Sequence, residues 1–371
     1  MAPEPPPAGK QKQFECSGCG AIMEFDPAGG LLKCRHCGHT EAVPAEASTI
    51  APHSLDEFLA LVGDGHLKPL TAQALQVQCS GCGSVVSFEP PEVAGACPFC
   101  GANIVNQPKA ADPLVAPDAV LPFKVPKDQA QTRVRAWLQT RWFAPNALKR
   151  MARQDGIAGL YLPFWIYDAD TSSRYSGERG EYYYTTESYT TTDDEGHSVT
   201  ETREVQHTAW YPAAGQVDRS FQDLLIAASR AVPEKKLNHL APWDLASLCP
   251  YEPAYIAGFK AQRYQVELPD GFEEAKSIMA KQIDCDVRAD IGGDEQRVEF
   301  IQTAYSNTFF RHVLLPVWIG AYRFRNKPYH VVVNARTGQV QGERPFSAWK
   351  IFFLVFGIVA LIVVIYVLTH K

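Results

Sequence analysis

The sequence predicts an α+β protein built from two tandem four-cysteine zinc ribbons, a β-rich mixed domain and one C-terminal transmembrane helix. Eight of the ten cysteines form two matching quartets, the middle of the chain is rich in strand-like Tyr and Thr runs, and residues 351–368 carry no charge. The predicted parts are a disordered tail (1–13), ribbon 1 (14–43), a helical linker (44–76), ribbon 2 (77–106), a second linker (107–127), a helix followed by the β-rich soluble domain (128–345), and a membrane anchor (346–371).

The two cysteine quartets repeat one unit at an offset of 63 residues, and each reads C-x2-C, fourteen residues, C-x2-C. Four thiolates at this spacing suit tetrahedral Zn²⁺, with a β-hairpin between the two turns. Disulfide pairs or simply buried cysteines are the alternative, and His36 and His39 are alternative ligands beside the first quartet. The predicted ligands of two structural zinc ions are Cys16, Cys19, Cys34 and Cys37, and Cys79, Cys82, Cys97 and Cys100.

Each ribbon has about 30 residues and is too small for a self-sufficient core, so metal binding is expected to keep it folded. The whole chain has a net charge of −6, and residues 77–105 contain no Lys or Arg. Binding to nucleic acid depends on neutralising phosphates, which these ribbons lack the cations to do. The ribbons are therefore expected to contact proteins, and a nucleic-acid partner is not expected.

A short helix is predicted in the first linker. Ser54 and Glu57 fit a capping box, and Leu55 and Phe58 begin an apolar stripe that ends at Gly63. We expect this stripe to pack between the two ribbons, with docking of a partner as the alternative. A second helix is predicted over 128–153, whose basic face either touches anionic lipid or is solvated.

The rest of the domain is expected to be mainly β-structure. Residues 159–168 form a strongly apolar strand, residues 181–192 and 197–210 form a polar hairpin, and residues 329–333 and 339–342 form a closing hairpin. A helix is expected over 272–283. The apolar strand's sequence Leu-Pro-Phe-Trp-Ile at 162–166 returns as Leu-Pro-Val-Trp-Ile at 315–319. Two related half-domains would explain this similarity, and coincidence is the alternative.

The apolar run at 351–368 is long enough to cross a bilayer, since eighteen residues at about 1.5 Å each span about 27 Å. Trp349 and Tyr366 lie where interfacial aromatic residues are expected. A buried core helix is the alternative. Because the N-terminal residues include no apolar stretch, the body is expected to stay in the cytosol, with a single-pass anchor in the inner (cytoplasmic) membrane.

These features together resemble a bacterial group of membrane-anchored double-zinc-ribbon proteins. The resemblance rests on the two quartets, the LPFW and LPVW strands, the segment YHVVVNARTGQVQGERP and the apolar terminal run. The group occurs with phage-shock-type and flotillin-like (SPFH) membrane proteins and is often described as primosomal-helicase-like. The resemblance implies that flotillin-like or phage-shock-type proteins are partners of this chain.

Motifs of common enzymes are absent from the sequence, which contains no G-x-x-x-x-G-K-[ST], H-E-x-x-H, G-x-S-x-G or G-x-G-x-x-G pattern. Cys249 and Cys285 do not look like nucleophiles, and the acidic run 290–295 is read as a turn, with cation binding as the alternative. We expect no enzymatic activity and no catalytic residues. The expected function is that of a membrane-anchored adaptor or scaffold, in envelope stress for example, and the alternatives are a membrane-tethered nucleic-acid-binding protein and a redox-sensing zinc protein.

Overall fold

The computed structural model describes residues 14–43, 50–63, 75–78, 85–88, 94–96, 99, 103–105, 109–110, 115–141, 157–192, 197–324, 327–342 and 348–369. The helices are α1 (Leu55–Gly63), α2 (Lys127–Gln139), α3 (Glu234–Asn238), α4 (Pro253–Ile256), α5 (Leu268–Ile291) and α6 (Ala348–Thr369). The strands are β1 (Met23–Asp26), β2 (Leu31–Cys34), β3 (Thr40–Glu41), β4 (His53–Ser54), β5 (Leu75–Gln78), β6 (Val85–Phe88), β7 (Ala94–Ala96), β8 (Asn103–Val105), β9 (Lys109–Ala110), β10 (Ala119–Val120), β11 (Ala158–Thr192), β12 (Ser198–Ala227), β13 (Cys249–Pro250), β14 (Lys260–Ala261), β15 (Glu295–Phe324), β16 (Lys327–Asn334) and β17 (Val340–Gly342).

A nine-stranded sheet dominates the fold, which confirms the α+β class. Its main path runs β12-β11-β15-β10-β13, and β16 and β17 continue it beside β15. β11, β12 and β15 contain 35, 30 and 30 residues, whereas strands usually have about 3–10 residues. The predicted strand at 159–168 and the first arm of the predicted hairpin at 181–192 are therefore parts of one continuous strand.

The centre of the sheet is buried on both faces, which explains its continuous apolar sequence. Along β11, Leu160, Leu162 and Phe164 point to one core, and Tyr161 and Trp165 point to the opposite face. β15 alternates in the same way across its apolar segment. Alternation between two cores fits the two-residue period of a strand.

Helix α5 covers the opposite face along the long strands. Its buried residues recur three or four positions apart, including Phe272, Ala275, Met279 and Ile283. This spacing lines one face of an α-helix. The predicted helix at 272–283 is confirmed, and it extends by a turn or more at each end.

The two similar segments, 162–166 and 315–319, lie side by side in the sheet. Leu162 is the direct antiparallel partner of Leu315, at the middle of the contact between β11 and β15. β10 pairs in parallel with β15, and β14 pairs in parallel with β11. β10 precedes β11 in sequence but pairs with β15, and β14 precedes β15 in sequence but pairs with β11.

The two tryptophans of these segments also have equivalent environments. The Trp165 indole N–H donates to the carbonyl of Val266 at 2.9 Å, and the Trp318 indole N–H donates to the carbonyl of Val125 at 2.8 Å. Each accepting residue lies two positions before a helix, α5 for Val266 and α2 for Val125. The similarity of the two segments therefore extends from sequence to pairing, hydrogen bonding and the following helix.

Two sequence-based boundaries and one expected packing contact differ from the structure. The predicted linker at 107–127 contributes buried residues to the domain, among them Val120 and Phe123, because β10 is inserted beside β15. The helix predicted at 128–153 is present as α2 and ends at Gln139, and residues 142–156 lie outside the described part. Helix α1 is confirmed, and the Glu57 N–H donates to the Ser54 hydroxyl at its start. The helix packs on β15 rather than between the ribbons, with the ring centroids of Phe58 and Phe310 5.1 Å apart.

The closing hairpin is confirmed as β16 and β17, and the apolar terminal run forms α6. Among the described residues, α6 is the one helix long and apolar enough to cross a membrane, and none of its window Phe352–Thr369 is buried. At 22 residues it is about 33 Å long. An exposed helix of this composition is a candidate membrane span, and it is not the buried core helix considered as the alternative.

Candidate metal centre

The four cysteines of the first quartet converge at one end of the small sheet β1-β2-β3. Their sulfur atoms all lie within 4.8 Å of one another. The Cys16 and Cys37 sulfurs are 3.5 Å apart, and those of Cys19 and Cys34 are 3.6 Å apart. A tetrahedral ion with bonds of about 2.3 Å to sulfur needs sulfurs about 3.8 Å apart. The quartet can therefore hold a metal ion with little movement.

The same backbone turn presents both halves of the site. The N–H of Gly20 donates to the carbonyl of Cys16 at 2.8 Å, and the N–H of Gly38 donates to the carbonyl of Cys34 at 3.0 Å. Gly20 and Gly38 have φ of 73° and 77°, a left-handed conformation that favours glycine. The glycine after each C-x2-C pair therefore lets the chain turn back so that both sulfurs face inward.

Backbone N–H groups also point at the sulfurs. The Gly18 N–H donates to the sulfur of Cys16 at 3.4 Å. Donation from the backbone N–H of Cys37 lowers the pKa of the Cys34 thiol to about 6, and burial opposes this effect. Such donors stabilise the thiolate form, which is the form that binds metal.

The pKa of the Cys37 thiol is raised, in contrast to that of Cys34. The backbone N–H of His39 lowers its pKa, but hydrogen bonds with the thiols of Cys19 and Cys16, together with burial, raise the pKa to about 12. Four neighbouring thiols cannot all ionise easily without a cation between them. A metal ion that binds here is expected to displace thiol protons.

A polar network closes the outside of the site. The Ser17 hydroxyl donates to Glu41 at 2.7 Å and lies 3.0 Å from Nε2 of His39, and the Ser17 N–H also donates to Glu41. Hydrogen bonds from Ser17 lower the pKa of Glu41. His39 and His36 are not members of the sulfur cluster, so the group that this arrangement offers to a metal ion consists of the four cysteines.

Ribbon 1 is docked on the sheet domain through its β1 strand. The Phe25 ring meets the Tyr255 ring edge to face, with ring centroids 5.5 Å apart. The backbone N–H of Phe25 donates to the carbonyl of Ala257 at 3.0 Å. Gly258 lies so close to Glu24 that an added Cβ would be 2.8 Å from its side chain. The position of the cysteine site is thus fixed relative to the large sheet.

Ribbon 2 is described only in part, and its four predicted ligands, Cys79, Cys82, Cys97 and Cys100, lie outside the described residues. The described strands β5 and β6 form an antiparallel pair, as do β7 and β8. Phe99, which stands between two of the cysteines in sequence, is fully buried in the core that contains Leu162 and Leu315. The second zinc site therefore remains a prediction.

The other predicted residues have ordinary surroundings. Cys285 is exposed on α5, and Cys249 is partly exposed rather than buried as its apolar neighbours suggest. In the acidic run, Asp290 accepts from the Tyr175 hydroxyl and Asp294 accepts from the backbone N–H of Tyr182. These contacts are consistent with a turn rather than a cation site.

Sequence reasoning identified the four clustered cysteines of ribbon 1 but missed the groups around them. Ser17 belongs to the repeated Cys-Ser-Gly-Cys-Gly pattern, so the repeat itself carried a signal for its role. The fold alone brings Glu41 to Ser17, 24 positions away. It also brings together the docking residues Phe25 and Tyr255, which are 230 positions apart.

No protein family matches the chain, and no solved structure matches it. The chain is 26% identical over 355 residues to a Bacillus subtilis (strain 168) protein described as uncharacterized protein YdjG, with 91% of each chain covered. The two proteins are therefore similar over nearly their full lengths.

Proposed function

We propose that this protein is a zinc-ribbon adaptor, anchored in the cytoplasmic membrane, that recruits partner proteins to the cytosolic face. One observation carries the proposal: a four-cysteine centre and an exposed apolar helix occur on the same chain, the first before and the second after the sheet domain in sequence. The four-cysteine centre would stabilise ribbon 1, and the apolar helix would hold the chain at the membrane.

Zinc is the metal that four thiolates favour, and a site with four protein ligands leaves no open position for substrate. We assign structural ions to Cys16, Cys19, Cys34 and Cys37 and to the second quartet at 79–100. This supports a binding role rather than an enzymatic one. The purified protein is expected to contain two zinc ions per chain, and the C79S/C82S variant is expected to contain one.

The anchor fits the same scheme. Helix α6 is about as long as a hydrocarbon core is thick, about 30 Å. Trp349 and Tyr366 near its ends are exposed and suit the membrane interface. Reduced thiolate ligands favour a cytosolic location for the ribbons.

Charge supports proteins rather than nucleic acid as partners. Arg35, one of two basic residues in ribbon 1, forms a salt bridge with Glu24. The apolar side chains of Ile22 and Leu31 are exposed on the same ribbon, Ile22 to 60%. Flotillin-like or phage-shock-type membrane proteins are the partners that the resemblance to double-ribbon proteins suggests, and envelope stress is the setting.

Affinity purification from detergent-solubilised membranes tests the proposal. The native chain is compared with C79S/C82S, and C285S serves as the control, since Cys285 lies outside both quartets. We expect partner proteins to be recovered with the native chain and C285S and lost with C79S/C82S. Recovery of replication or transcription proteins together with nucleic acid would reject the adaptor role, and loss of zinc with a change of partners after mild peroxide would indicate redox sensing.

A further inference from the structure

The far end of the long hairpin lacks the support that the rest of the sheet has. β15 begins at Glu295, opposite Gly180 of β11, and Gly180 is itself paired with Trp210 of β12. Beyond this point residues 181–192 and 198–210 form a two-stranded segment, which we call the arm. At about 3.3 Å per residue the arm is about 40 Å long. A two-stranded hairpin alone is only marginally stable in water, so this arm would gain from additional strands.

Hydrogen bonds at the base of the arm show which backbone groups face outward. The Asp294 N–H donates to the carbonyl of Gly180 at 2.8 Å, and the Tyr182 N–H donates to the Asp294 carboxylate at 2.7 Å. Even-numbered residues of β11 therefore point towards β15, and odd-numbered ones point towards β12. Because odd residues of β11 pair with odd residues of β12, the even-numbered residues of β12 direct their N–H and C=O groups away from the sheet.

This outer edge of β12 meets no further strand in the described part of the chain. Proteins usually protect such an edge with proline, lysine or a bulge. Pro212 is even-numbered, so its missing N–H falls on the outer edge, as expected for an edge proline. From 198 to 210, by contrast, the strand contains no Pro, Gly or Lys and pairs with β11 without a register shift. The edge proline therefore lies beside the body, whereas the arm has neither a proline nor a bulge, and its charged residues Glu201, Arg203 and Glu204 restrict which strand can pair there.

The charges of the arm identify a second copy of this chain as the occupant. Suppose that two β12 edges pair antiparallel with Thr202 opposite Thr202 of the second copy. Glu201 then lies opposite Arg203 of the second copy, and the symmetry makes this pair twice. Val199, which is 40% exposed, lies opposite Val205 in the same way. Opposite charges that face each other across two strands are stabilising, and so are two apolar residues that face each other.

Registers centred on Glu201, Arg203, Glu204 or Val205 are less favourable, and a register centred on Thr200 would pair only residues 198–202 of each copy. Centring the pair on Glu201, Arg203 or Glu204 places like charges directly opposite each other, which is destabilising. Centring it on Val205 brings Pro212 into the paired region, where its missing N–H breaks the ladder. Pairing centred on Thr202 covers 198–206, which fits within the arm and stops before the three-stranded body.

The partner strand would also extend a network that each copy already contains. Arg203 contacts Glu187 at 3.3 Å, and Glu201 accepts from the Tyr189 hydroxyl at 2.6 Å. All four residues lie on the same face of the arm, because their odd numbers alternate with the other face. An Arg203 from a second copy would thus meet a face that already carries a carboxylate.

We propose that the arm is a self-association element in which two copies of the chain pair antiparallel through the outer edges of β12, with Thr202 at the two-fold axis. This forms a continuous four-stranded sheet from the two arms. The proposal requires neither the metal centre nor the identity of any other partner.

Cysteine cross-linking in isolated membranes tests both the contact and its register. T202C is made in a C285S background, and the background chain alone gives the baseline. Directly opposed, hydrogen-bonded residues have Cα atoms about 5.5 Å apart, which lies within the range of about 4.4–6.8 Å that a disulfide needs. Mild oxidation is expected to give a disulfide-linked dimer on a non-reducing gel.

T200C is the matched control, since it lies on the same face of the same strand and is similarly exposed. In the proposed register the two copies of position 200 are four residues apart, about 13 Å, so T200C is expected to stay at the baseline. Equal cross-linking at positions 200 and 202, no cross-linking at either position, or cross-linking through S188C on the opposite edge of the arm would overturn the proposal.

Charge exchange tests the register independently of the cysteine positions. E201R and R203E are each combined with T202C in the C285S background. Each exchange alone places like charges opposite each other across the two-fold axis, so the disulfide-linked dimer is expected to fall several-fold. The double exchange re-forms the opposite-charge pairs and is expected to restore the dimer. Equal dimer yields from the single and double exchanges would contradict the register.

Discussion

Ribbon 1 and the large sheet are both mainly antiparallel β-structures, yet different interactions stabilise them. Ribbon 1 has a three-stranded sheet and buries only a few apolar side chains, among them Met23, Phe25 and Leu32. The large sheet separates extensive cores on both faces, and its central strands are apolar over many consecutive residues. A module of about 30 residues lacks the surface burial to fold alone. The comparison indicates that the ribbon depends on its cysteines and its docking, and that the sheet depends on apolar packing.

The largest effect is expected from removing a ligand of ribbon 1. C34S should abolish metal binding at this site, because Cys34 is buried among the other sulfurs and would supply one of the four ligands. Metal binding contributes about 10–16 kcal/mol in small zinc modules. Zinc content and limited proteolysis measure the result, with cleavage expected within 14–43 and the sheet domain remaining intact. Equal zinc content in C34S and the C285S control would contradict the assignment of the ligands.

The reverse experiment weakens the sheet and leaves the ribbon's ligands in place. Phe310 is fully buried and contacts Phe58 of α1 and Trp165 of β11. Replacing such a residue with alanine costs about 3–5 kcal/mol. F310A should therefore lower the free energy of unfolding of the sheet domain in denaturant titrations while the zinc content stays the same. Loss of zinc in F310A would show that the two parts are not stabilised separately.

The comparison also explains what the sequence could predict. The first cysteine site was recognisable because its four cysteines lie within 22 consecutive residues, and local turns bring them together. The length of β11 could not be predicted from the sequence, because the second half of this strand lacks an apolar run and depends on pairing with β12. Residues 115–125 looked like a linker for a similar reason: β10 has only two residues, and its burial depends on strands far away in sequence.

A smaller effect tests whether the two halves of the sheet are equivalent. W165F and W318F each remove an indole N–H and leave the carbonyl of Val266 or Val125 without its donor. An unsatisfied buried polar group costs about 1–3 kcal/mol. Similar losses in the free energy of unfolding are expected for the two variants, with W349F as a control because Trp349 is exposed. A loss confined to one variant would mean that the two tryptophans are equivalent in geometry but not in energy.

The smallest effect near neutral pH concerns a buried histidine in the sheet. His312 lies beside Trp165 with ring centroids 4.8 Å apart, its Nδ1–H donates to the carbonyl of Val115 at 2.9 Å, and its Nε2 has no partner in the described part of the chain. Burial lowers the pKa of His312, and the nearby Asp118 partly opposes this.

Protonation of His312 must therefore favour the unfolded chain. A histidine with a lowered folded pKa contributes full stability above its unfolded pKa of about 6.5, and this stability is lost as the pH falls towards the folded pKa. One proton limits the slope to about 1.4 kcal/mol per pH unit. Denaturant titrations from about pH 7.5 to about pH 5 should show a flatter decline for H312Q than for the native chain, because glutamine does not titrate. Parallel declines would mean that another group controls the acid sensitivity, and the buried imidazole would then have a purely packing role in this core.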